Sequence, residues 1–255
     1  MTTAIADSLP TTAPERQTPI YHWTFVVHLW TLTGLVFATW ALKETVAGHL
    51  DNAARLLLAV LLVDFTDGTL ARLLRVKERM PLISGEVIDY IHDLVGLTFV
   101  PMFFFWKTGL FLEPFGFPLV VAATLSATLK YGMKASLLRL GYSIGTPPIF
   151  FSIFLCYFLE LSPLVSTLYG IGLVVLVLLP IRFPITSLVT THWQPGWQSL
   201  TNYLVALFAL PIMLWLREAP KWLFWLLLAN ILIQITVFPL LLKIGVLKPG
   251  FIRRF

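Results

Sequence analysis

Apolar residues gather along this chain in long runs, separated by short gaps that hold its polar side chains, glycines and prolines. A helix needs about 20 largely apolar residues to cross a bilayer. Eight stretches approach that length: 20–43, 53–76, 84–107, 114–132, 143–160, 163–183, 198–216 and 221–243. Pro81, Gly109, Gly141, Pro163, Pro195-Gly196 and Pro220 punctuate the gaps, as helix-breaking residues do. The pattern predicts an all-α fold, a polytopic membrane helix bundle with about eight transmembrane helices. No internal repeat and no low-complexity tract interrupts it.

Composition agrees. Of 255 residues, 58% are hydrophobic and 12% are charged, against roughly a quarter charged in a soluble domain. The opening segment MTTAIADSLPTTAPERQTP is polar and lacks the apolar centre of a signal peptide, so residues 1–19 are expected in water or on the membrane surface. With the N-terminus inside, thirteen Lys and Arg fall on that side and five on the other. This bias places both termini in the cytoplasm. It also accounts for the net charge of +5 without nucleic acid as a partner. The single cysteine, Cys156, sits in an apolar run and offers neither a disulfide nor a metal site.

One hairpin breaks the apolar pattern. Between residues 64 and 93 stand Asp64, Asp67, Glu78, Glu86, Asp89 and Asp93, six of the chain's thirteen acids. Asp64, Asp67, Gly68 and Ala71 are spaced i, i+3, i+4 and i+7, one face of a helix. Gly85, Asp89 and Asp93, at i, i+4 and i+8, share a face of the next. Two antiparallel helices can thus point four carboxylates at one another. Each charged side chain costs roughly 2.5–3.5 kcal/mol at the centre of a membrane helix, so something positive is expected between them. An all-oxygen donor set suits Mg²⁺, Mn²⁺ or Ca²⁺. Gly68 and Ala71 keep the face low, and Arg72 offers a planar cation for phosphate oxygens. The combination suits a metal-bound diphosphate.

These residues resemble the signature of the CDP-alcohol phosphotransferase family, D-x2-D-G-x2-A-R followed by G-x3-D-x3-D. Here it reads Asp64-Phe-Thr-Asp67-Gly68-Thr-Leu-Ala71-Arg72, then Gly85-Glu-Val-Ile-Asp89-Tyr-Ile-His-Asp93. The long spacer, the wording DGTLARLLRV…RMPLISGEVID, the LLPIRFP run near Arg182 and the number of spans resemble the bacterial phosphatidylcholine synthase branch. The resemblance implies transfer of the phosphatidyl group of CDP-diacylglycerol to choline, giving phosphatidylcholine and CMP. It implies a site at the cytoplasmic face of the bacterial inner membrane and Mn²⁺ or Mg²⁺, as two ions. By the same resemblance Asp64, Asp67, Asp89 and Asp93 bind metal and Asp93 is the general base. Asp64, Gly68, Ala71, Arg72 and Gly85 would hold the nucleotide and diphosphate. It implies a six-helix family core at 20–190, two added helices and a tail at 191–255, and, as in many family members, a homodimer.

For the quaternary ammonium of choline, which has no N–H to donate, aromatic faces and negative charge are the expected partners. Glu86, on one face with Asp89 and Asp93, is a candidate; it equally serves to open the third span after an N-cap at Ser84. Tyr131 and Tyr142 flank the turn after the fourth span and read as interface anchors before they read as a cage. Lys130, Lys134 and Arg139, in the same turn, either draw in anionic CDP-diacylglycerol or, the favoured reading, touch anionic lipid heads. His92 reads as packing or a polar contact rather than the base. Arg182 and His192 are left between pocket lining and topology anchor. Serine, glycerol phosphate or inositol phosphate remain alternative acceptors. A cation-coupled transporter also places acids in a membrane, but needs no Gly68, Ala71 and Arg72 in register with them. A membrane prenyltransferase would call for two separated Asp-rich motifs.

Overall fold

The computed structural model describes residues 22–76, 83–137, 142–144, 148–184 and 218–244, with a few single positions besides. Helix α1 (His22–Val46) and helix α2 (Leu50–Leu73) form an antiparallel pair. Gly48, at φ +81°, makes the tight turn between them in a conformation that a side chain would resist. Helix α3 (Gly85–His92) runs on through a π-helical turn (Asp93–Phe99) into α4 (Val100–Lys107). Then come α5 (Gly116–Leu137), a strand β1 (Tyr142–Ile144), a 3₁₀ turn (Phe150–Ile153) with α6 (Phe154–Phe158), α7 (Pro163–Leu178), β2 (Arg182–Pro184) and α8 (Lys221–Lys243).

The sequence reading meets the structure closely for 20–43, 53–76, 84–107, 114–132 and 221–243. It departs at 143–160, where regular helix begins only at Phe150 and Tyr142–Ile144 instead pairs antiparallel with Arg182–Pro184. The Pro-Pro pair in the sequence at 147–148 accounts for the late start, because proline offers no N–H donor to a helix. A proline also shortens 163–183. Leu179, which precedes Pro180, is extended at ψ 137°, so α7 stops at Leu178. The fold is therefore helical with one small strand pair that an all-α reading did not contain. The segments 1–19 and most of 198–216 lie outside the described residues.

The helix containing α3, the π turn and α4 forms a hub. The π turn meets α1, α2 and α5, while α5 also packs on α7, and α8 meets α6. Its centre is aromatic: Phe104, Phe105 and Phe150 are fully buried, and Phe105 meets Phe154 edge-on at 4.8 Å between centroids. Two described helices, Thr24–Val46 and Gly85–Lys107, are long and apolar enough to cross a membrane. Helix α2 carries Asp51, Arg55, Asp64 and Asp67, which interrupt its apolar run. Outward surfaces remain oily, with Val36 and Trp40 on α1, Leu125 and Leu129 on α5, and Leu168 and Val175 on α7 all exposed. Extended apolar surface of this kind is what a lipid contact requires.

Candidate functional site

The acidic hairpin closes as its helical spacing predicts. Ser84 caps α3: its backbone is extended and its hydroxyl accepts from the Val87 N–H at 3.3 Å. That fixes where the helix begins and so which way Asp89 and Asp93 point. Helix α2 is held against α1 by the Trp30 indole, which donates to Thr66 Oγ1 at 2.8 Å. Asp64 and Asp67 on α2 then face α3 and the π turn.

Two overlapping groups result. Asp64, Asp67 and Asp89 each offer an oxygen, all within 4.8 Å of one another, and Asp64, His92 and Asp93 do the same with one nitrogen. Asp64 belongs to both. Asp67 is 5% exposed, and its Oδ2 is buried with no hydrogen-bond partner, as is Oδ1 of Asp93. Carboxylates this close, with oxygen atoms left unpartnered, need a compensating cation or a shared proton. The donor set is carboxylate-rich and partly enclosed, which fits a hard divalent ion.

Gly68 and Ala71 lie on α2 beside these acids, both half-buried, and Gly85 opens α3. Gly85 also lets α1 approach, since a Cβ there would lie 3.1 Å from the His28 ring. The side chain of Arg72 lies outside the described residues, as do those of Lys134, Arg139, Tyr142 and Arg182 and the whole of His192. Glu86 is exposed in the first turn of α3.

His92 is the buried polar contact that the sequence reading gave it, and two other placements differ from that reading. His92 is fully buried, and its Nδ1 lies 3.9 Å from both Asp64 and Asp93. Its position one residue before Asp93 does turn it away from that side chain's direction. Helix α1 and helix α2 wrap that side as well, so the ring enters the acidic centre from behind. A Cβ on Gly34 would collide with the ring, so α1 makes room for it. Lys130 is 5% exposed and faces into the bundle rather than toward lipid heads. Tyr131 is no simple interface anchor: its ring stacks on Tyr90 at 5.5 Å between centroids. Its hydroxyl interacts with Asp93, Asp64 and Asp89. The signal was a spacing on two helices distant in sequence, which periodicity within one helix does not register.

No protein-family model matches the chain. Curated relatives do. A phosphatidylcholine synthase of Bradyrhizobium diazoefficiens is 34% identical over 158 residues, 61% of this chain and 59% of the relative. One of Borreliella burgdorferi is 29% identical over 125 residues, 49% of this chain and 53% of the relative. One of Pseudomonas aeruginosa is 30% identical over 162 residues, 62% of this chain and 66% of the relative. The chain thus spans between half and two-thirds of the length of these relatives. Together with the paired acidic motif, these similarities support a phosphatidylcholine synthase-like family for this chain.

Proposed function

We propose that the protein is a CDP-diacylglycerol–choline O-phosphatidyltransferase. The convergence of Asp64, Asp67, Asp89 and Asp93 from two helices carries this reading, and the named relatives supply the acceptor. The choline hydroxyl oxygen attacks the phosphorus that bears diacylglycerol. Its bond to the bridging oxygen of the diphosphate breaks, CMP leaves, and the hydroxyl proton passes to an Asp93 oxygen. When bound, divalent ions held by Asp64, Asp67, Asp89 and Asp93 neutralise the diphosphate and the departing CMP. We assign two ions, either Mn²⁺ or Mg²⁺.

In the chain itself, Gly68, Ala71 and Gly85 give the nucleotide close access to backbone, and Arg72 pairs with its phosphate oxygens. Asp93 supplies positioned general-base catalysis, typically worth about 10²–10⁴-fold. The catalytic core is residues 20–190, followed by two further helices in 191–255. The eight spans lie in the bacterial inner membrane with both termini and the site on the cytoplasmic side. There a water-soluble alcohol and a lipid donor can meet.

Purified protein, CDP-diacylglycerol and a panel of alcohols with Mn²⁺ or Mg²⁺ test the proposal. CMP release is expected to depend on choline. Release driven equally by serine, glycerol phosphate or inositol phosphate would reassign the acceptor. Metal-dependent ion flux without CMP would replace the enzyme with a transporter.

A further inference from the structure

Helices α3 and α5 bring two tyrosines together beside the acids. Tyr90 and Tyr131 stack with centroids 5.5 Å apart and planes inclined by 23°. Both are half-buried, and Tyr131 rests partly on the apolar core. Carboxylates surround the pair: Tyr90 interacts with Glu86, Asp89 and Asp93, and Tyr131 with Asp93, Asp64 and Asp89. Stacking and the contact of the Tyr131 hydroxyl with Asp93 hold the two rings in place. Ring faces are negative, so ring faces edged by carboxylates attract a cation.

We infer that the Tyr90–Tyr131 pair, with Glu86 at its rim, receives the quaternary ammonium of the acceptor; this rests on the choline reading above. Such a cation donates no hydrogen bond and binds through aromatic faces and nearby negative charge. In choline the nitrogen and the hydroxyl are two carbons apart. The ammonium site must therefore adjoin the base, and Tyr131 does, through its contact with Asp93. The pair thus sets specificity, while the aspartates carry the transfer.

The test uses the full chain in detergent–lipid micelles, following CMP release against choline concentration. Tyr131→Leu and Tyr90→Leu are each expected to raise the choline KM about tenfold, the size of a partly desolvated cation–π contact, with the KM for CDP-diacylglycerol held within about twofold. Tyr90→Phe and Tyr131→Phe should each raise the choline KM less than the matching Leu variant, because the ring face binds the ammonium. Tetramethylammonium should inhibit wild type competitively with choline and lose potency in both Leu variants. A choline KM and tetramethylammonium inhibition unchanged in Tyr90→Leu overturn the inference, even if Tyr131→Leu is too unstable to assay. An equal rise in both substrates' KM values also overturns it, since that marks general damage. Wild-type protein that releases no CMP on choline addition would instead remove the function on which the inference stands.

Discussion

At the scale of single residues, the proposed function gives the four aspartates of the cluster different tasks. Asp93 lies at the end of α3 with Oδ1 unpartnered and the Tyr131 hydroxyl beside it, so it is placed to take a proton. Asp93→Asn is expected to lower turnover by about 10²–10⁴-fold while CDP-diacylglycerol still binds in a filtration or calorimetric assay. Wild-type turnover in that variant would take the base role from Asp93. Asp64 stands in both acidic groups and carries the most mutual repulsion. In chelator, Asp64→Asn should therefore raise the thermal midpoint by about 2–4 °C while abolishing activity, the trade expected of a site built for function. Mn²⁺ should raise the wild-type midpoint and leave that of Asp64→Asn unmoved. A matching Mn²⁺ shift in both would show that the ion binds elsewhere. The convergence of the acids was readable from spacing, because each pair follows the period of one helix. The closeness of His92 and Tyr131 was not, because it depends on a third and a fourth helix.

At the scale of elements, the crossing of α1 over α3 decides how the acids are held. Gly34 admits the His92 ring there, and where the π turn meets α2, Gly96 admits Val60, whose Cγ1 would lie 2.7 Å from a Cβ. Gly34→Ala overpacks this crossing and should cost about 1–3 kcal/mol, read as a lower thermal midpoint and reduced activity. His92→Ala in the same chain should recover part of the midpoint, and a double-mutant cycle measures the coupling. Strict additivity of the two changes would mean that the contact does not hold the helices. Most helices were legible as apolar runs bounded by Gly and Pro. The strand pair Tyr142–Ile144 with Arg182–Pro184 was not. Each partner is only three residues long, too short for alternating side chains to announce it.

At the scale of the whole molecule, charge and oil specify an orientation. A cysteine introduced at Thr11 and another at Gly250 should react with a membrane-impermeant maleimide only in opened cells, if both ends lie in the cytoplasm as the proposed topology has them. Cys156 is buried and gives little background. Labelling of either position in intact cells would invert the topology and move the site away from its donor's nucleotide. By itself the sequence determined that the chain is helical and made for lipid, where most helices run, and that one hairpin carries carboxylates on facing stripes. Those are local properties, set by the length of apolar runs and by the 3.6-residue turn. Only the tertiary structure decided what surrounds the carboxylates. It buried His92 beneath Gly34, turned Lys130 inward and laid Tyr131 on Tyr90. Such contacts join residues whose helices are separated by other helices, and they are selected by how volumes fit rather than by any period along the chain.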